Sequence, residues 1–191
     1  MKTLPKTWMP VALLLLLTSL AAGAQMGQAS ASQTSASMPM HEVAKKTLPS
    51  KQLIVTYDGR TITLTAAELL ALPQQTVTVT NGHTGKSEQY SGPLVADVLA
   101  RAGLQATGDT HQRILHSTIV ATGADGYFVL YAAAEVEPSF ATGKVIVALM
   151  KDGLPDEAGG TIQLVNSTDA KPARWVHGLA QLSVMTLDRS K

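Results

Sequence analysis

From residue 53 onward the chain is a succession of short apolar runs separated by turn-forming pairs, and that rhythm leaves few fold classes open. Leu53-Ile54-Val55-Thr56-Tyr57, Asp58-Gly59 and Thr61-Ile62-Thr63-Leu64 read as a hairpin, because Asp-Gly suits a turn whose two central residues need positive φ. Thr65-Ala66-Ala67-Glu68 has the spacing of a capping box and opens a short helix through Leu69, Leu70 and Leu72, which Pro73 ends. Residues 76–80 alternate as a half-buried strand, Asn81-Gly82-His83-Thr84-Gly85 turns, and Glu88-Gln89-Tyr90 returns. Tyr90-Ser91-Gly92-Pro93-Leu94 leads into an amphipathic helix over 95–102 that stops at Gly103, with Leu94, Val95, Val98 and Leu99 on one face. Strands are predicted over 114–121 and 127–131, a helical piece over 132–136 before Pro138, and further strands over 145–150, 161–165 and 179–187. Many strands with a few short helices argue an α+β fold with a mixed β-sheet.

The N-terminus reads as an export signal. Lys2 and Lys6 precede an apolar run over 11–20, and Ala22-Gly23-Ala24 is a small-x-small cleavage site. The run is shorter than the roughly 20 residues a membrane span needs. Cleavage would leave Gln25 first, and no cysteine follows to carry a lipid anchor. Residues 25–50 are rich in Ser, Ala, Gln and Met without apolar periodicity, the composition of a disordered linker. Met26, Met38, Met40 and His41 offer soft-metal ligands, but a floppy segment is a poor cage for an ion. Residues 51–191 then form a single domain, expected to be monomeric and away from the membrane once the signal is gone.

Without Lys2 and Lys6 the mature chain has 13 basic and 14 acidic residues, a net charge near −1. It shows no basic stripe, which argues against nucleic acid. The chain contains no cysteine, so disulfides, thiolate metal sites and cysteine nucleophiles are excluded. Gly82-His83-Thr84-Gly85-Lys86-Ser87 lacks the spacing of a phosphate loop and leads into a strand, offering no helix N-terminus to a phosphate. The histidines have no metal-site spacing: His111 and His116 share neither a helix face nor a strand face. No G-x-S-x-G elbow supports a hydrolase triad. Asn166-Ser167-Thr168 fits a glycosylation sequon and points to an exposed loop.

Five phrases, in order, carry a resemblance: Tyr90-Ser91-Gly92-Pro93-Leu94; Gly123-Ala124-Asp125-Gly126-Tyr127; the apolar run over 145–150 with Lys151-Asp152-Gly153-Leu154-Pro155; Gly160-Thr161-Ile162-Gln163-Leu164-Val165; and Lys171-Pro172-Ala173-Arg174-Trp175-Val176. Over 53–187 they resemble the molybdopterin-binding domain of the sulfite oxidase family, especially its small exported bacterial members. The resemblance implies that family's fold and a pterin-phosphate site to which Arg174, beside Trp175, contributes. A guanidinium is well shaped for a phosphate or carboxylate. Asp125 matches the family as well, as a turn residue that can also face a ligand.

Two departures weaken the cofactor. The redox members hold molybdenum through a cysteine in the stretch matching 78–88, which has none here. They also carry a histidine-glycine pair and an arginine where this chain has Gly159-Gly160 and Gln163. The expectation is an exported, periplasmic or secreted domain of this type without its own molybdenum centre. It would bind a small anionic or heteroaromatic ligand in a cleft near Arg174, Trp175, His83 and Asp125, with molybdopterin possible only by resemblance and no catalytic residue or metal ligand assigned. Two alternatives stand beside it: a true molybdopterin oxidoreductase passing electrons to a haem protein, and an interaction module that binds a periplasmic partner by strand addition.

Overall fold

The computed structural model describes residues 47–187, apart from Gly82, His83 and Asp109. The expected signal over 1–24 and residues 25–46 of the expected linker lie outside the described residues. Residues 47–50 lie against the domain. Ser50 is buried, its N–H donates to the Gly160 carbonyl at 2.9 Å, and its hydroxyl donates to Gln52.

The chain opens with the expected hairpin of β1 (Gln52–Tyr57) and β2 (Arg60–Thr65). Asp58 and Gly59 take φ of 51° and 74°, the turn geometry the pair suggested. In α1 (Ala66–Leu70) the capping box closes both ways: Glu68 N–H donates to Thr65 Oγ1, and Thr65 N–H donates to Glu68 Oε2 at 2.8 Å. Those hydrogen bonds hold the Glu68 carboxyl below its usual range. β3 (Gln74–Thr80) and β4 (Ser87–Pro93) form a second antiparallel hairpin. The returning strand runs on through residues 90–93 to the start of the expected helix. α2 (Val95–Ala102) begins after them and ends at Gly103, whose φ of 105° is the left-handed cap glycine adopts readily.

The apolar pair Ile114-Leu115 belongs to α3 (His111–Leu115), and not to the strand predicted over 114–121. A two-residue apolar run carries no period, so its type is set by what it packs against. Ile114 enters the core, and Ser117 Oγ donates to the Arg113 carbonyl where the turn gives way to β5 (Ser117–Gly123). β6 (Phe128–Ala132) and α4 (Ala133–Val136) follow. With β11 (Leu179–Thr186) these strands make a five-stranded mixed sheet, in the order β2-β1-β11-β5-β6, parallel only between β1 and β11. Its inner face, with Leu53, Val55, Ile119 and Leu182, meets Val95, Val98 and Leu99 of α2 in a large aliphatic core.

The apolar run over 145–150 divides at Leu149. β7 (Val145–Ala148) pairs with β10 (Gln163–Asn166), whereas β8 (Met150–Lys151) pairs with β4 and with β9 (Leu154–Pro155). The division joins a four-stranded sheet, β3-β4-β8-β9, to the β10-β7 pair. The joint is tight: a Cβ on Gly92 of β4 would stand 1.9 Å from the Val147 carbonyl oxygen of β7. Between these elements lies a second, smaller core of Val77, Tyr90, Ile146, Ala148 and Val165, with Trp175 packed on it.

Candidate functional site

The site is organised by the segment after β10. Asn166 is 2 % exposed, which corrects the reading of its sequon as an exposed loop. Its side-chain oxygen accepts from the Thr168 N–H and hydroxyl, and its Nδ2 donates to Asp169 Oδ1 at 3.1 Å. The amide is thus turned inward, where its bonds replace those it would make to water. Asp169 in turn holds Arg174, with Nη2 at 2.6 Å from Oδ1 and Nε at 3.3 Å from Oδ2. Arg174 Nη1 reaches Glu135 of α4 at 3.2 Å, and the guanidinium lies 4.6 Å above the Tyr131 ring. Tyr131 donates its hydroxyl to the Arg174 carbonyl. Burial, more than the neighbouring Asp169 charge, pushes that phenol far above its ordinary value. The Asp169 hydrogen bond, followed by that of Glu135, holds the guanidinium protonated well above its usual range. Arg174 is a clasp between this segment and α4.

Lys171 precedes a single 3-10 turn, Pro172–Arg174, which presents Trp175. The indole Nε1 donates to the Asn166 carbonyl at 3.1 Å, and the ring meets Tyr90 edge-on with centroids 5.5 Å apart. With its polar handle satisfied, the indole has only apolar surface to offer a ligand. Two hollows adjoin it. The larger, about 570 Å³, is walled by β3, Tyr90, Lys151, Lys171, Trp175 and His177. The smaller, about 360 Å³, shares Pro172, Trp175 and His177 with it and adds Asp125 and Tyr127. Asp125 Oδ1 accepts from the Tyr127 N–H at 2.9 Å, and Tyr127 donates its hydroxyl to the Ala173 carbonyl, so this turn braces the Trp175 segment.

One end of the larger hollow is a closed polar network. Glu88 accepts from Asn81 Nδ2 at 2.9 Å and the Tyr90 hydroxyl at 2.9 Å, and pairs with Lys151 Nζ at 3.0 Å. Partial burial works to raise the Glu88 carboxyl, but these donors outweigh it and hold it below its ordinary value. Partial burial likewise opposes the charge on Lys151, but its contacts with Glu88 and Tyr90 hold the ammonium above its ordinary value. Burial pushes the Tyr90 phenol up to about 12. All three groups are moved away from neutrality, which suits holding a ligand better than exchanging protons with one.

Of the residues expected from sequence, Trp175 and Asp125 meet at the smaller hollow. Arg174, adjacent in sequence, turns to Asp169 and Glu135 and lines neither hollow. His83 lies outside the described residues. Tyr90, Lys151, Lys171 and His177 are members of the wall that the sequence did not single out. They come from three segments, Lys171 and His177 sharing one, so no single spacing links them. His111 stacks on Phe140 and His116 ends α3, and the described residues contain no cluster of three metal-ligating side chains.

No family model matches the chain, and no curated protein matches it in sequence. Its structure is similar to the crystal structure of the sulfane dehydrogenase SoxCD from Paracoccus pantotrophus, with a TM-score of 0.54 and 17% identity over 70% of this chain. The match covers 37% of that chain, so this protein spans little more than a third of the relative's length. That likeness shows the fold. It is an α+β architecture of mixed sheets and short helices, of the sulfite-oxidase molybdopterin-domain type.

The side chains do not fit the cofactor such a fold implies. A thiolate ligand is excluded by composition. Arg174 already faces two carboxylates, and Lys151 faces Glu88. Lys171 remains as the wall's cation without an ion pair among the described residues. A phosphorylated pterin calls for several converging charge-assisted donors, and the wall has its charges largely paired within itself.

Proposed function

We propose that this protein is an exported, periplasmic or secreted binding domain, built on a molybdopterin-domain scaffold, that takes a small anionic or heteroaromatic ligand at Trp175 without a molybdenum centre of its own. The observation that carries this reading is the pair of hollows flanking the indole, with an aromatic floor of Tyr90 and Trp175 and, lining the larger one, Lys171, which has no ion pair among the described residues. A planar ring would pack against the indole while a carboxylate or phosphate reached Lys171. Asp125 and Tyr127 would border the second hollow, and Arg174 would act as the clasp that sets the position of Trp175. No proton or electron transfer is assigned to the chain's own groups.

Trp8 and Trp175 are the two tryptophans of the chain. In a Trp8→Phe chain, or after removal of the signal, fluorescence therefore reports the site directly. Titration with pterin-6-carboxylate is expected to quench Trp175 saturably, and Lys171→Glu to weaken that binding. Elemental analysis of protein purified from its own compartment is expected to find molybdenum well below one atom per chain. Stoichiometric molybdenum would overturn this reading in favour of a true molybdopterin oxidoreductase.

A further inference from the structure

The larger hollow has one wall unlike the others. Thr78, Val79 and Thr80, three consecutive residues of β3, border it. Successive strand residues point to opposite faces of a sheet, so a cavity that touches all three runs along the strand's edge as well as over one face. β3 is the edge of the four-stranded sheet and pairs with β4 alone. On its other side, residues 74–80 make no backbone hydrogen bond among the described residues. The strand, Gln-Gln-Thr-Val-Thr-Val-Thr, contains neither a charge nor a proline, the devices by which sheet edges are normally protected from pairing. At about 3.3 Å per residue it offers an edge of roughly 23 Å.

The charge around this edge has one sign. Glu88 is answered by Lys151, and Asp169 by Arg174. Lys171 in the wall and Lys86 at the turn after β3 have no carboxylate partner among the described residues, and Lys144 Nζ binds only the neutral Gln75 Oε1 of β3 at 2.9 Å. β6 is an edge of the other large sheet, but its exposed residues are Phe128, Leu130 and Ala132, and it lines neither hollow at Trp175.

We propose that the free edge of β3 is a strand-addition site for an extended acidic segment of another protein, which pairs with β3 through its backbone and places one side chain in the hollow beside Trp175. This rests on the ligand reading above and narrows it: the anionic group arrives on a peptide. Backbone pairing would supply affinity independent of sequence. The pocket at Tyr90 and Trp175 would select an apolar or aromatic side chain on one face of the added strand, and the three lysines would select carboxylates near it.

The test uses the Trp8→Phe chain and an eight-residue peptide alternating Val and Glu, with one Phe at its centre. Saturable change in Trp175 fluorescence is expected. The affinity should fall by roughly tenfold or more when alternate peptide amides are N-methylated, in whichever of the two registers faces β3. It should fall by a comparable factor when Lys replaces Glu in the peptide, or in the Lys171→Glu chain. Amide exchange in β3 should slow on binding. Equal affinity for the methylated and plain peptides would overturn strand addition. Binding of pterin-6-carboxylate but not of the peptide would also overturn it while leaving the ligand reading intact, and a silent Trp175 with both probes would sink both. Sedimentation showing that β3 is instead occupied by a second copy of the chain would overturn the acidic partner.

Discussion

The two cores of this molecule solve the same problem in opposite ways. Beneath the five-stranded sheet, Leu53, Val55, Ile119, Leu179 and Leu182 close against α2 with no polar side chain among them. Beneath the four-stranded sheet, Val77, Tyr90, Ile146, Ala148 and Val165 form a smaller cluster that Val79, Leu94 and Trp175 partly cover, and polar groups stand beside it: Glu88 with Lys151, Asp169 with Arg174, and Asn166 with both its neighbours and the indole. The first region is held by area removed from water, and the second by a few specific bonds. The open core is therefore where a ligand can be accommodated, because its surfaces are already arranged without filling the space between them.

The largest test of this contrast is Leu182→Ala. The residue is fully buried on the central strand of the large sheet. Truncation is expected to cost about 2–5 kcal/mol in urea unfolding, with pterin-6-carboxylate quenching of Trp175 unchanged at temperatures where the chain stays folded. Loss of quenching alongside folded secondary structure would show that the two cores are not separable.

A smaller effect is expected at the clasp. Arg174→Ala removes the partner of the Asp169 carboxylate, which is only 10% exposed, and frees Glu135. Because the guanidinium is itself 38% exposed, screening reduces the loss to about 1–2 kcal/mol. The binding of pterin-6-carboxylate should weaken together with the order of the Trp175 segment, visible as a red shift of its emission. An Arg174→Ala chain with wild-type stability and an unmoved emission maximum, but no ligand binding, would make Arg174 a ligand contact instead.

The smallest expected effect is on pH dependence. The Glu88 carboxyl titrates lower in the folded chain than when unfolded. Between the two values the unfolded state binds more protons, so the stability contributed is complete above the unfolded value and is lost as pH falls through the folded one. As pH falls below the usual carboxylate range the melting temperature should therefore drop, and Glu88→Gln should flatten part of that limb by lowering the neutral-pH melting temperature towards its acid value. An acid limb identical in Glu88→Gln would show that other carboxylates dominate it.

Much of the fold was legible in the sequence wherever the deciding contacts are local. Asp58-Gly59, the Thr65–Glu68 box and the Gly103 stop each depend on atoms a few residues apart. The short apolar pieces were less legible. Ile114-Leu115 reads equally well as strand or helix, and the run over 145–150 gives no sign that Leu149 is where one strand leaves for another sheet. Of the site, Trp175 and Asp125 could be picked out because they sit in recognisable phrases. Lys151 and Lys171 open two of those phrases but nothing in the phrases marks them as wall residues, and His177 and Glu88 sit in none.

What the sequence determined by itself is therefore most of the elements, the α+β class and one chemical exclusion: a chain without cysteine offers no thiolate to a metal. What only the tertiary structure decided is which charges meet. Arg174 reads as a phosphate ligand until Asp169 and Glu135, the latter 39 residues away, are found to hold it. Asn166 reads as a surface sequon until its side chain is found inside, tying Asp169 and, through its carbonyl, the indole. The reason is physical. Backbone preferences are settled by neighbours along the chain, whereas the partner of a charged or amide group is settled by whichever segment the sheets bring within three ångströms or so of it, roughly hydrogen-bond distance.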